Sequence, residues 1–211
     1  MTLVAFDFDG TLSDSEMTVL LGQQCGVADE MDRITEAAMN DEIAYAESLR
    51  KRCALLDGLD NEQAEQAFKQ VQLRPDTGDV LGSLTAEGVD TAILTGGFER
   101  GVNAALTEAD TMVDTVVANR LPVGDGELTG EVAGPLIEGT KDDALHVLCA
   151  AIGVDRSETV AVGDGANDLP MLEAAGLAVG FSPKPAVEPA CDVVVESMDE
   201  LETFLTSEGI L

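Results

Sequence analysis

Positive charge is scarce in this chain of 211 residues, because 11 Lys and Arg face 41 Asp and Glu, giving a formal net charge of −30. A field of this sign repels nucleic acid and anionic membranes, so neither is an expected partner. The carboxylates are spread among apolar residues rather than gathered in an acidic tail, and the 45% hydrophobic content argues against global disorder. This composition is typical of a protein adapted to molar salt, where a Debye length of about 3 Å screens self-repulsion. The alternative is a merely acidic, very soluble protein.

Long apolar runs, paired cysteines and histidine are also lacking. The longest run without a charge has 12 residues, from Met17 to Ala28, well short of the roughly 20 needed to span a bilayer. The N-terminus has no basic segment, which argues against a signal peptide. The four cysteines form no CxxC pair, and His146 is the only histidine, so a disulfide framework, a zinc site and a histidine metal cage are not expected. The sequence predicts a reduced, soluble, cytoplasmic protein.

The order of predicted elements indicates an α/β fold with a helical insertion. Residues 3–8 form an apolar run suited to a buried strand, whereas residues 14–75 have helical periodicity and no strand-like run. From residue 76 onward, strands and helices alternate, which predicts a doubly wound parallel sheet with helices on both faces. Strands are predicted at 89–94, 112–118, 158–162, 177–181 and 193–195, helices at 99–106, 141–152 and 167–175, and a hairpin within 121–132 around an Asp-Gly turn. The predicted domains are a core of residues 1–13 and 76–211 and a helical cap of residues 14–75.

The first candidate motif, Asp7-Phe8-Asp9-Gly10-Thr11, follows the first predicted strand. Two carboxylates two residues apart at a strand end project to the same side and can share a cation. One can attack an electrophile while the other transfers protons or binds metal. An acidic β-turn is the structural alternative, but Asp7 lies in an apolar run, where an unpaired carboxylate is costly.

Three further polar motifs follow later elements. The run 163–168, Gly-Asp-Gly-Ala-Asn-Asp, succeeds an apolar strand, and its carboxylates suit a hard cation such as Mg²⁺. Thr95, Gly96 and Gly97 follow another strand and can cradle phosphate, although such turns are common. Lys141 begins a predicted helix, where a cation opposes the helix dipole, so a bound anion is favoured over a solvated surface position. Ligands of open parallel sheets bind at these carboxyl ends.

Together the four motifs resemble those of the haloacid dehalogenase-like (HAD) superfamily of Mg²⁺-dependent phosphotransferases, which are DxDxT, a Ser or Thr, a Lys, and GDxxxD. Over nearly the whole chain the sequence resembles the phosphoserine phosphatase family within it, in the segments DFDGTLSDSE, SLRKRCALLDGL, LTGGFE, ANRL, GELTGEV and VAVGDGANDLPML. Thr95 and Gly10 depart from the residue more usual in that family, which is Ser at both positions. These departures bear on the substrate more than on the reaction class.

The resemblance implies a HAD-like, Rossmann-type core and hydrolysis of O-phosphoserine to serine and phosphate, the last step of serine biosynthesis. It implies that Asp7 is the nucleophile and that Asp9 protonates the leaving oxygen and then activates water. Mg²⁺ would be held by Asp7, the backbone carbonyl of Asp9 and Asp164, with Asp168 in support.

The resemblance also implies a substrate-binding set with separate tasks. Glu16 matches the position that meets the substrate ammonium, and Arg52 the one that binds its carboxylate. The other members are Met39 and Tyr45 in the helical insertion and Thr95, Gly96, Lys141 and Asn167 around the phosphoryl group. The expected partner is a small phosphorylated amino acid, and the chain is expected to be a monomer or homodimer. Alternatives are a related enzyme that uses another small phosphomonoester or transfers the phosphoryl group to an acceptor such as homoserine, and, more remotely, a non-catalytic acidic metal-binding protein.

Overall fold

The strands of the computed structural model, which describes residues 2–39 and 42–211 except for the side chain of Met39, form one six-stranded sheet and one hairpin. Their bounds are β1 (Leu3–Phe6), β2 (Asp90–Phe98), β3 (Thr115–Asn119), β4 (Val123–Gly124), β5 (Glu127–Leu128), β6 (Thr159–Gly163), β7 (Leu177–Phe181) and β8 (Val193–Val195). The large sheet is parallel with the order β3-β2-β1-β6-β7-β8, and β4 and β5 pair antiparallel. The predicted parallel α/β fold is therefore confirmed.

Nine helices are found in the described residues. They are α1 (Met17–Cys25), α2 (Ala28–Met39), α3 (Tyr45–Ala54), α4 (Asn61–Phe68), α5 (Thr77–Ala86), α6 (Glu99–Glu108), α7 (Lys141–Ile152), α8 (Leu169–Ala174) and α9 (Met198–Ser207). The first four lie between β1 and β2 and account for the helical periodicity of residues 14–75. None of the helices in the described ranges is long and apolar enough to cross a membrane.

Side chains alternate across the central strand and supply two separate layers of core. Val4 and Phe6 pack in a cluster with buried residues of α1, α3 to α6 and α9, whereas Leu3 and Ala5 pack with residues of α7 and α8. This is the period of two expected of a strand covered on both faces. Because β1 is buried on both sides, its carboxyl end is held rigidly in the middle of the sheet.

The predicted hairpin forms at the predicted turn and contacts the inserted helical segment. Asp125 and Gly126 have φ angles of +52° and +89°, the left-handed pair that a tight two-residue turn requires. Leu128 of β5 accepts a backbone hydrogen bond from Gly58 at 2.9 Å and donates one to Leu59 at 2.8 Å. The hairpin is thus joined to the turn between α3 and α4 by main-chain bonds.

Two parts of the core differ from the sequence prediction. Strand β2 continues through Thr95 to Phe98, where a turn was expected, because the backbone pairs again with β3 beyond an irregularity, Phe98 opposite Asn119. Helices α5 and α9, which were not predicted individually, pack against one another and contact β2 and β8 respectively. The division into a core and a cap at residues 14 and 75 remains a prediction.

Candidate active site

The carboxyl ends of three adjacent strands bring the predicted motifs to one edge of the sheet. Asp7 follows β1, Thr95 lies within β2, and Asp164 follows β6, while β1 pairs with both neighbours. These residues line a cavity of about 600 Å³ that also touches the inserted helical segment. Lys141 begins α7 and reaches the same place from another part of the chain.

A buried lysine links two buried carboxylates at the bottom of this arrangement. The Lys141 ammonium lies 2.5 Å from Oδ1 of Asp7 and 2.5 Å from Oδ1 of Asp168, and all three side chains are at most 3% exposed. Burial alone would lower the pKa of Lys141, but the charges of Asp168 and Asp7 outweigh it and raise that pKa. Lys141 is therefore a permanent cation that fixes one oxygen of Asp7.

Asp168 also organises the glycine loop that carries Asp164. Its Oδ2 accepts hydrogen bonds from the backbone N–H groups of Asp164 and Gly165, at 3.0 and 2.8 Å. Its Oδ1 accepts from Lys141 and from the Asn167 amide, at 2.5 and 3.2 Å. A Cβ at Gly163 would stand 2.7 Å from this carboxylate. With both oxygens engaged by donors, Asp168 holds the glycine loop and Lys141 in place.

The loop after β1 can pack closely against Asp164 because Gly10 has no side chain. Gly10 has a φ of +94°, and a Cβ there would be 2.5 to 2.7 Å from the Asp164 carboxylate. The Thr11 hydroxyl donates to Oδ1 of Asp164 at 3.3 Å. Arg74 donates to the carbonyls of Gly10 and Thr11, at 2.9 and 3.0 Å. Glycine at position 10 is thus compatible with this site, and a side chain there would displace Asp164.

Burial, together with the charges of neighbouring carboxylates, raises the pKa values of Asp7, Asp9 and Asp164. Burial, followed by the charge of Asp168, raises the pKa of Asp7 to about 7, against the opposing effect of Lys141. Burial, Glu16 and Asp7 raise the pKa of Asp9 well above its usual range. Burial also raises the pKa of Asp164, although Lys184 opposes the shift. A cation added to this cluster would stabilise the charged forms.

The donor set of the cluster suits a hard divalent cation. Asp7, Asp164 and Asp168 each place a carboxylate oxygen within 4.8 Å of the others, and the ligand atoms are all oxygens. Oδ1 of Asp9 is buried without a hydrogen-bond partner among the described residues. Asp168 already accepts four hydrogen bonds, so Asp7 and Asp164 keep more free acceptor capacity for a cation than Asp168 does.

The inserted segment adds one carboxylate and one guanidinium to the cavity. Glu16, just before α1, and Arg52 of α3 both line it. Arg52 is 7% exposed and donates from Nη1 to the Thr18 hydroxyl at 3.0 Å, while its Nε has no hydrogen-bond partner in the described part of the chain. Burial raises the pKa of Glu16 although Arg52 opposes the shift. The predicted binding residues of opposite charge are thus brought into one cavity.

Tyr45 and Gly96 meet where the helical segment faces β2. A Cβ at Gly96 would overlap with the Tyr45 hydroxyl oxygen. Burial raises the pKa of Tyr45 to about 12, so the phenol is neutral. Thr95 beside it is buried and accepts a hydrogen bond from the Gly97 N–H at 2.9 Å. Met39, also predicted to contact substrate, has a side chain outside the described residues.

Among the cavity residues that were not identified from the sequence, two contact its charged side chains directly. Thr18 accepts a hydrogen bond from Arg52. The two residues lie on different helices, so no local sequence pattern predicts the contact. Lys184 follows β7 and lies 3.2 Å from Oδ2 of Asp164. The sequence did offer one signal for it, since Lys184 is one of only four lysines in a chain of net charge −30.

Comparisons with a family model, with related sequences and with solved structures all indicate the same family. Residues 4–173 match the family model for haloacid dehalogenase-like hydrolase. The chain is 53% identical to a phosphoserine phosphatase of Halobacterium salinarum, covering 100% of both chains, and 36% identical to one of Methanocaldococcus jannaschii, covering 93% of each. It matches a solved structure described as a phospho-aspartyl intermediate analogue of phosphoserine phosphatase with a TM-score of 0.89 and 34% identity, covering 96% of this chain and 98% of that one.

Proposed function

The chain belongs to the haloacid dehalogenase-like hydrolase family, and we propose that it is a Mg²⁺-dependent phosphatase that hydrolyses O-phosphoserine to serine and phosphate. The observation that carries the proposal is the placement of Asp7, buried with one oxygen held by Lys141, on the wall of a cavity that also contains Glu16 and Arg52. A nucleophile at one part of the cavity and groups for an ammonium and a carboxylate at another fit a phosphorylated amino acid. The names of the similar proteins support the same substrate.

In the first step, Asp7 attacks phosphorus and the bond from phosphorus to the serine oxygen breaks. Lys141 holds Oδ1 of Asp7, which leaves Oδ2 to form the aspartyl-phosphate. The Lys141 ammonium has three N–H donors and two are used by Asp7 and Asp168, so the third is available to a phosphoryl oxygen. Thr95, Gly96 and Asn167 line the cavity and would bind the remaining phosphoryl oxygens.

Asp9 would act first as an acid and then as a base. Its raised pKa supports a protonated carboxyl in the resting site, able to give its proton to the leaving serine oxygen. In the second step the Asp9 carboxylate takes a proton from water, the water oxygen attacks phosphorus, and phosphate leaves Asp7. Asp9 thus loses a proton in the first step and regains one from water in the second.

Asp7, Asp164 and the backbone carbonyl of Asp9 would hold Mg²⁺. The ion, when bound, neutralises the negative charge that a phosphate dianion brings to the acidic cluster. Asp168 would keep Asp164 in place through the loop amides that it accepts from.

The helical segment would select the substrate and exclude water. Glu16 would meet the ammonium of phosphoserine and Arg52 its carboxylate. The buried Nε of Arg52, which has no partner within the described part of the chain, supports that assignment. Tyr45 belongs to the proposed cap of residues 14–75, and its hydroxyl lies close to Gly96. It would therefore help the cap to close the site. We place the reaction in serine biosynthesis in the cytoplasm, carried out by a monomer or homodimer.

The proposal is tested by measuring phosphate release from O-phosphoserine, p-nitrophenyl phosphate and other small phosphomonoesters, with Mg²⁺ and with EDTA. We expect phosphoserine to give the highest kcat/KM, EDTA to abolish turnover, and Asp7→Asn to abolish it while preserving the circular dichroism spectrum. Homoserine added as acceptor separates hydrolysis from transfer. More than a few per cent of activity in Asp7→Asn contradicts the assigned nucleophile, and a better substrate than phosphoserine contradicts the assigned specificity.

A further inference from the structure

Lys184 is a second lysine at the acidic cluster, and its position differs from that of Lys141. Its ammonium lies 3.2 Å from Oδ2 of Asp164, and its side chain is 42% exposed on the wall of the cavity. Lys141, by contrast, is buried against Asp7 and Asp168. Asp164 is therefore paired with a cation that water and ions can reach.

The main chain fixes Lys184 at this place. Its N–H donates to the Asp164 carbonyl at 2.9 Å, and its own carbonyl accepts from the N–H groups of Val187 and Glu188, at 2.8 and 3.2 Å. Pro183 and Pro185 on either side restrict the backbone. The constrained loop thus places the backbone of Lys184 next to Asp164, and its side chain needs only a short reach to form the ion pair.

The environment of Lys184 is unlike that of the two lysines on the helical segment. Lys51 pairs with Glu47 along the surface of α3 at 2.7 Å, and Lys69 is exposed at the end of α4. Lys184 instead shares the cavity with Asp7, Asp9, Glu16 and Asp164. In a cluster of this composition a nearby ammonium lowers the electrostatic cost of keeping Asp164 ionised.

We propose that Lys184 is a positioning residue of the metal site: its ammonium pairs with Oδ2 of Asp164 and competes with a divalent cation for that oxygen. This inference rests on the proposed function, because it takes Asp164 as a metal ligand. A tethered ammonium near a divalent cation repels it, so Lys184 weakens metal binding while it compensates the charge of Asp164. The same charge, once released from Asp164, faces the cavity that receives an anionic substrate.

The test is direct measurement of Mg²⁺ and Mn²⁺ binding to EDTA-stripped protein by isothermal titration calorimetry in molar KCl. Lys184→Met should tighten binding by about threefold, since a charge next to the ion is removed and molar salt screens part of its repulsion. Lys69→Met removes the same charge from an exposed site and should leave the affinity within about twofold. Lys184→Arg keeps the charge and should bind like the wild type. If Lys184→Met is unstable, Lys184→Gln removes the same charge and takes its place in the test.

A second readout is the melting temperature without divalent ion, which Lys184→Met should lower more than Lys69→Met does. Weaker or unchanged metal binding in Lys184→Met overturns the proposal, because a purely structural role for Lys184 cannot tighten binding. Asp164→Asn distinguishes the two levels of inference. If Asp164→Asn binds metal like the wild type, the metal-ligand assignment of the proposed function fails; if it loses binding while Lys184→Met is not tighter, only the role of Lys184 fails.

Discussion

Replacement of Arg52 by Met tests how the site distinguishes phosphoserine from simpler phosphomonoesters. Arg52 is 7% exposed and donates a hydrogen bond to Thr18, and its Nε has no hydrogen-bond partner among residues 2–39 and 42–211. A buried donor without a partner costs about 1–3 kcal/mol, and a hydrogen bond between charged groups contributes about 1.5–3 kcal/mol. A substrate carboxylate would remove the first cost and supply the second contribution.

The expected effect of Arg52→Met is a loss of about 3 kcal/mol of transition-state binding for phosphoserine, which is about 100-fold in kcat/KM. Phosphoethanolamine has the same phosphate and ammonium but no carboxylate, so its kcat/KM should change by less than about fivefold. The two substrates are compared by phosphate release, with circular dichroism melting to establish that the variant folds.

Arg50→Met is the matched control for this experiment. Arg50 lies on the same helix, is exposed, and pairs with Glu138 rather than with a group of the cavity. It should leave the preference for phosphoserine unchanged. If Arg52→Met reduces kcat/KM equally for both substrates, Arg52 acts by packing and the reasoning about the carboxylate is refuted.

Three further perturbations follow from the same geometry. Gly96→Ala places a Cβ on the Tyr45 hydroxyl and should lower kcat/KM at least tenfold, with partial recovery when Tyr45→Ala is added; a fully active Gly96→Ala variant contradicts the contact. Because the pKa of Asp7 is raised to about 7, the folded state holds a proton that the unfolded chain releases, and the associated stability is present near pH 4 and lost as pH rises through 7. Mg²⁺ favours the charged carboxylate, so the rise in melting temperature that it causes should grow from pH 5.5 to 8, whereas a constant rise argues against the shift. With a net charge of −30, both the melting temperature and the KM for phosphoserine should improve between low and molar KCl, and a melting temperature independent of salt excludes the halophilic interpretation.

Several elements were predictable because their signals are local. Strands β7 and β8 and helix α7 have the predicted bounds, since short apolar runs and a helical repeat between clear breaks define them. The Asp-Gly turn of the hairpin is equally local. Strand β2 was predicted too short, because its last residues are paired by β3, a partner that no pattern within residues 95–98 reveals.

The site was predictable in its residue types and less so in its contacts. Asp7, Asp9, Thr95, Asp164 and Asn167 were placed at strand ends, and the sheet brings them to one cavity. Their proposed roles await the experiments above. Lys141 was expected to bind an anion, and the structure adds that its ammonium is already shared by two carboxylates.

The order of the motifs and the strand pattern were enough to predict which side chains meet at one sheet edge, because carboxylates and glycines placed just after adjacent parallel strands share that edge. The pairing of charges was decided only by the tertiary structure. Lys141 and Asp7 are 134 residues apart in sequence, and Lys184 reaches Asp164 from the end of a different strand. Electrostatic interaction depends on distance and burial rather than on sequence separation. The raised pKa of Asp7 and the cation beside Asp164 can therefore be identified only from the tertiary structure.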